Sequence, residues 1–183
     1  MLATIFSGAG PSTGPGRYSG GESGHVAFSP DGQLLAVVSY YGVRLYDVAT
    51  LSETRLLEAD GTMGGCSFSP DGGSLAAGSQ EGVVRIWHVD DGQLAQEFRG
   101  SDANVLSVAF SPNGQTLAAT SGDSDYAVRI WEPNSGTLIS DLKGHPEIVW
   151  TVVYSPDGQY LASGDELGLI QLWQVSSEQL LHQ

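Results

Sequence analysis

The chain has 183 residues, enough for one domain with a sizeable core, and carries 21 acidic against 7 basic side chains for a net charge of −14. That balance argues against nucleic acid and anionic membrane surfaces as partners, because seven scattered cations supply no basic stripe. A single cysteine excludes an internal disulfide and a four-thiolate metal site, and no apolar run reaches the length of a membrane span.

In chain order, Met1-Leu2-Ala3-Thr4-Ile5-Phe6 has no positive flank and too short an apolar stretch for a secretory signal, so the expected setting is the cytoplasm. Residues 1 to 24 are rich in Gly, Ser and Pro and read as a flexible lead-in, with Thr4-Ile5-Phe6 as a candidate outer-strand remnant. Within it Gly10-Pro11-Ser12-Thr13-Gly14 matches the spacing of a nucleophile elbow by chance. It stands in a Gly/Pro tract with no helix to follow it.

From residue 25 the chain repeats itself. Ser29-Pro30-Asp31-Gly32 returns at Ser69-Pro70-Asp71-Gly72, Ser111-Pro112-Asn113-Gly114 and Ser155-Pro156-Asp157-Gly158, at intervals of 40, 42 and 44 residues. A second marker keeps step: Val43-Arg44-Leu45-Tyr46, Val84-Arg85-Ile86-Trp87, Val128-Arg129-Ile130-Trp131 and Ile170-Gln171-Leu172-Trp173. Each unit reads as four strands. An apolar run such as Val105 to Phe110 or Val149 to Tyr154 comes first, and a Pro-Asp-Gly turn follows it. The second strands are 33–39, 74–79, 116–121 and 160–164. The third ends at the aromatic, and a more polar fourth carries Arg99, Asp141 and Lys143 as an exposed edge should. Turn signals interrupt every window long enough for an amphipathic helix. The pattern predicts an all-β propeller of four four-stranded blades over 25–60, 61–100, 101–144 and 145–183.

The repeated turns, the Val-Arg-Ile-Trp strands and Gly144-His145 together resemble the WD-repeat family of β-propellers over residues 25 to 183. The resemblance implies a buried hydrogen-bond network of a His, a strand Ser or Thr, a turn Asp and the Trp. His145, Ser163 and Trp173 take three of those places in the fourth unit, with Leu167 where the Asp is expected. Asp125 and Trp131 take two in the third, where Ser101 replaces the His. No unit then holds the full set, and modest stability is expected from this source. Family rings most often have seven blades, so four imply a partial, open propeller: a piece of a longer ring, or half of a two-chain ring formed by self-association.

Chemistry-bearing patterns are sparse. Lys143 is the only lysine, no phosphate-cradling loop is present, and the four His have no metal-ligand spacing. Asp123-Ser124-Asp125 lacks the glycine and bidentate Glu of a calcium loop, and Cys66 aligns with Val108 and Val152 as a small buried hydrophobe. Catalytic residues, metal and cofactor are therefore expected to be none. The expected function is a non-catalytic scaffold binding a protein or peptide, basic in character, through a rim. By the resemblance that rim carries Trp150 and Leu106, with Gln80, Asp123 and Glu166 nearby. Trp150 has two readings, an exposed anchor or a residue packed between blades. The alternatives are a propeller enzyme acting on a small molecule and a sensory module of a signalling protein. Two of Asp123, His145, Asp165 and Glu166 meeting in one channel-facing pocket with perturbed titration would favour the enzyme.

Overall fold

A computed structural model describes residues 25–61, 63–122 and 125–182. The lead-in and its Thr4-Ile5-Phe6 segment lie outside the described residues, as does Asp123. The described chain forms sixteen strands in four antiparallel meanders. The first contains β1 (Val26–Phe28), β2 (Leu34–Ser39), β3 (Gly42–Asp47) and β4 (Glu53–Glu58). The second contains β5 (Met63–Phe68), β6 (Ser74–Ser79), β7 (Val83–His88) and β8 (Leu94–Arg99). The third contains β9 (Val108–Phe110), β10 (Leu117–Thr120), β11 (Val128–Glu132) and β12 (Thr137–Leu142). The fourth contains β13 (Val149–Tyr154), β14 (Tyr160–Asp165), β15 (Ile170–Gln174) and β16 (Gln179–His182). Strands in each sheet lie side by side in sequence order.

The Ser-Pro-Asp-Gly turn closes each first hairpin by the same bonds. Ser29 Oγ donates to Asp31 Oδ1 at 2.6 Å, and the Gln33 N–H donates to the same oxygen at 3.0 Å. The Leu34 N–H returns to Ser29 Oγ at 2.9 Å. Ser69/Asp71, Ser111/Asn113 and Ser155/Asp157 repeat the arrangement. The hydroxyl and backbone donors hold the carboxyls of Asp31, Asp71 and Asp157 below their ordinary range. Many acidic residues thus serve the turns of the backbone.

The sheets stack face to face. First strands meet first strands from sheet to sheet, β1 against β5, β5 against β9 and β9 against β13, which places them nearest the common axis. Three apolar layers fill the junctions. Ala36, Val43, Leu45 and Leu57 of the first sheet pack with Phe68, Leu75, Ala77 and Trp87 of the second. Ala76, Val84 and Ile86 pack with Val108, Leu117, Ala119 and Trp131. Ala118, Val128, Ile130 and Leu142 pack with Val152, Tyr154, Leu161 and Trp173. Polar clasps add to the stacking: Arg55 Nη1 and Nη2 donate to the Asp91 and Asp90 carbonyls at 2.7 Å each, and the Gly65 N–H reaches the Leu106 carbonyl at 2.7 Å.

Two local features depart from the expected strands. The run Val105 to Phe110 is regular only from Val108. The Leu106 and Ser107 N–H groups turn to Thr120 Oγ1, at 3.3 and 3.0 Å, and leave the ladder. The fourth strands run longer than the Leu-rich stretches that mark them, as with Glu53–Glu58 around Leu56-Leu57. Burial pushes the Cys66 thiol up to about 12, the setting of an inert packing residue. Native protein at neutral pH is expected to leave Cys66 unmodified by a disulfide reagent that labels it fully in denaturant. Rapid native labelling would contradict the packing of β5 against the first sheet.

Candidate functional site

In a four-strand meander the start of strand one, the turn between strands two and three and the end of strand four share one end of the sheet. Every described rim candidate belongs to that end, opposite the Ser-Pro turns. Trp150 sits at the start of β13, where the pairing with β14 shifts between Val149 and Thr151. Val149 pairs with Asp165 and Thr151 with Gly164, so Trp150 is the extra residue of a bulge. A bulge re-aims its side chain out of the alternation. Trp150 is 45% exposed while both Val149 and Val152 are buried. Glu166 is exposed, and its N–H donates to the Ile148 carbonyl at 2.9 Å, which fixes that turn beside the Trp150 segment.

The other two described candidates sit at a different junction. Gln80 is exposed in the β6–β7 turn, and Leu106 is half-buried against the second sheet. The neighbouring Val105 N–H donates to the Ser79 carbonyl at 2.8 Å. The candidates therefore form two groups, Trp150 with Glu166 and Leu106 with Gln80. The sequence reading passed over Tyr40 and Tyr41. Both are exposed in the β2–β3 turn, edge to face with ring centroids 5.0 Å apart. They occupy the turn that carries Gln80-Glu81 and Glu166-Leu167 in other sheets, and two adjacent aromatics in a turn were the available signal.

Just beneath this end of the fourth sheet lies a complete buried relay. Trp173 Nε1–H donates to Ser163 Oγ at 3.1 Å, and Ser163 Oγ lies 2.7 Å from His145 Nε2. His145 Nδ1 lies 3.1 Å from Asp165 Oδ2. Because the serine oxygen accepts from the indole, its own proton goes to Nε2 in the neutral ring, and Nδ1–H donates to the carboxylate. Asp165 Oδ1 accepts the Leu167 and Leu169 N–H groups at 3.0 and 2.9 Å. This corrects the expectation that no unit holds the full set. Asp165 fills the place assigned to Leu167, which is instead exposed in the turn. Burial raises the Asp165 carboxyl, but the His145 and backbone donors outweigh it and hold the group below its ordinary range.

The third sheet shows why the network is not general. By ladder register Ala119 stands where Ser163 does, since Ala119 pairs with Arg129 as Ser163 pairs with Gln171. Trp131 Nε1 is consequently buried with no partner among the described residues. Asp125 and Trp131 are not joined. Asp125 instead accepts from Arg129, in a loop where burial raises its carboxyl while bonds from Ser121 and Arg129 lower it further. Ser101 and Ser121 take the His145 and Asp165 places as a hydroxyl pair 2.7 Å apart.

Ser163, His145 and Asp165 follow the order of a nucleophile, base and orienting carboxylate. His145 and Asp165 do converge and Asp165 is perturbed. All three side chains are buried, and the Trp173 indole already bonds the serine oxygen. A nucleophile must reach its substrate, so this arrangement serves packing.

Radially stacked four-stranded meanders define a segment of a β-propeller. The WD domain, G-beta repeat family matches residues 53–88, 92–132 and 136–174, more than half of the chain. The chain belongs to this WD-repeat family. Each matched segment opens at or just before the outer strand of one sheet and ends in the third strand of the next, so the sequence repeat itself ties neighbouring sheets together. Among curated proteins it is similar to "WD repeat-containing protein SL1-17" of Schistosoma mansoni, 33% identical over 100 residues, covering 54% of this chain and 33% of that protein. It is also similar to "Meiotic recombination protein rec14" of Schizosaccharomyces pombe, 34% identical over 98 residues, covering 52% and 32%. The chain thus spans about a third of the length of these relatives. Among solved structures, Kuenenia stuttgartiensis hydrazine synthase superposes with a TM-score of 0.79 at 18% identity, over 86% of this chain and 47% of that one. That likeness concerns the fold alone.

Proposed function

We propose that this WD-repeat array is a non-catalytic scaffold that holds a basic peptide or protein segment on its rim, with Trp150 as the anchor, in the cytoplasm. The observation that carries the reading is the bulge that turns a large aromatic outward between the buried Val149 and Val152, next to the segment to which the Glu166 backbone bonds. An exposed Trp on rigid backbone supplies apolar area and a cation-attracting face at low entropic cost. The net charge of −14 draws cationic segments and repels anionic ones. Tyr40 and Tyr41 offer a second aromatic contact on the same rim.

The test is an array of Lys/Arg-rich peptides, each carrying one apolar residue, probed with the folded chain. Trp150→Ala is expected to weaken the best peptide by roughly 10- to 100-fold with an unchanged melting temperature. Binding should also fall as salt rises. Equal binding by wild type and variant would remove the rim anchor from the account.

A further inference from the structure

Every sheet has two different faces, and every internal junction joins one of each. The aromatic face carries the third-strand Trp and its register neighbours: Phe68, Leu75 and Trp87 in the second sheet, and Tyr154, Leu161 and Trp173 in the fourth. The aliphatic face carries the alternating set, Ala36, Val43 and Leu45 in the first sheet and Ala118, Val128 and Ile130 in the third. Among the described residues two faces are left uncovered, one of each kind. The first sheet shows its aromatic face, with Val26 57% and Phe28 63% exposed. Register makes Phe28 the counterpart of the buried Phe68 and Tyr154, and Val26 the counterpart of the buried Val108 and Val152. The fourth sheet shows its aliphatic face, with Val153 56% and Ile170 67% exposed beside Ala162 and Leu172.

We propose that the open face of the first sheet is covered by the open face of the fourth sheet of a second copy, and reciprocally. Two arcs then close into one ring of eight sheets. The three internal junctions are the template, since each seats an aliphatic face on the aromatic face of the next sheet. The end faces also depart from that template in opposite senses. The first sheet carries the smaller Tyr46 where the others have Trp87, Trp131 and Trp173, and the fourth carries the larger Val153 where the others have Ala27, Ser67 and Ala109. Eight sheets lie within the range that propellers close, and a third copy exceeds it. The twofold axis forms both junctions at once, so the second contact is intramolecular after the first.

The experiment is light scattering of the full chain across a dilution series, with Val26→Asp and Val153→Glu as separate variants and Glu178→Lys, in an exposed turn, as control. The expected result is a monodisperse species of twice the chain mass for wild type and control. Each apolar-face variant should shift the dimer dissociation constant by roughly 100-fold or more while keeping its near-ultraviolet circular dichroism. Because the two variants lie on opposite sheets, misfolding of one leaves the other to report. A folded wild type of single mass, a ladder of larger assemblies, or a dimer unmoved by a folded variant would each overturn the ring.

Discussion

Asp165→Ala lowers stability by about 3 kcal/mol in urea unfolding, the cost of leaving a buried imidazole and two backbone N–H groups without their acceptor. The melting temperature falls by about 6–12 °C for a domain of this size. The carboxyl titrates below its ordinary 3.8 in the folded chain, so the unfolded chain binds the proton first. Stability from Asp165 is therefore fully present above that ordinary value and is lost as pH falls through the folded pKa. The gap between wild type and Asp165→Ala must narrow on acidification. Measuring the gap isolates this effect from the relief of self-repulsion that acid brings to a chain of net charge −14. A gap constant down to acid pH, or an alanine variant as stable as wild type, would contradict the relay.

Gly82→Ala is expected to cost about 3 kcal/mol, by a different cause. Gly82 has φ +80° in the β6–β7 turn, and its carbonyl accepts the Gly100 and Ser101 N–H groups at 2.8 and 3.1 Å. A methyl there overlaps the carbonyl oxygens of Ser101 and Ala103, which join the second sheet to the third. The left-handed backbone costs an alanine about 1 kcal/mol, and displacing backbone at a packed junction adds about 1–3 kcal/mol. Gly32 isolates the first of these, with φ +72° and open space around its would-be methyl. Gly32→Ala is expected to lose only about 1 kcal/mol. Equal losses in the two variants would show that the junction is loose.

The reading of residues against structure divides along a physical line. Features set by local chemistry were legible. Ser29-Pro30-Asp31-Gly32 and its copies specify a turn through bonds spanning five residues, and the Val-Arg-Ile-Trp marker sets Val and Ile on one covered face and the buried Trp on the other. The strands and the four sheets follow from these. Features set by pairing across the sheet were not. Leu167 stands six residues before Trp173, as Asp125 stands before Trp131, but Asp125 lies in a loop with a longer sequence than its counterparts. Counting through the ladder instead puts Asp165 on the same face as Ser163, two residues away along β14. The spacing Ser163-x-Asp165 after Gly144-His145 was the signal available, because alternate strand residues share a face.

The rim was half legible for a related reason. Its end of the sheets follows from strand order alone, yet which side chains stand out depends on a bulge. Regular alternation gives Trp150 the side opposite to Val149, and only the extra residue at that step frees it from the ladder. Leu106, its counterpart by alignment, stays half-buried because its strand leaves the ladder to bond Thr120. Aligned positions thus received different exposures from different backbone paths.

The central claim is radial stacking, with each third-strand Trp sealed against the sheet before it. Nuclear Overhauser contacts in methyl-labelled protein test it most directly. The account expects cross-peaks from the Trp87 indole to Leu45 or Leu57, from Trp131 to Val84 or Ile86, and from Trp173 to Val128 or Ile130. Indoles whose contacts stay within their own sheet would contradict it.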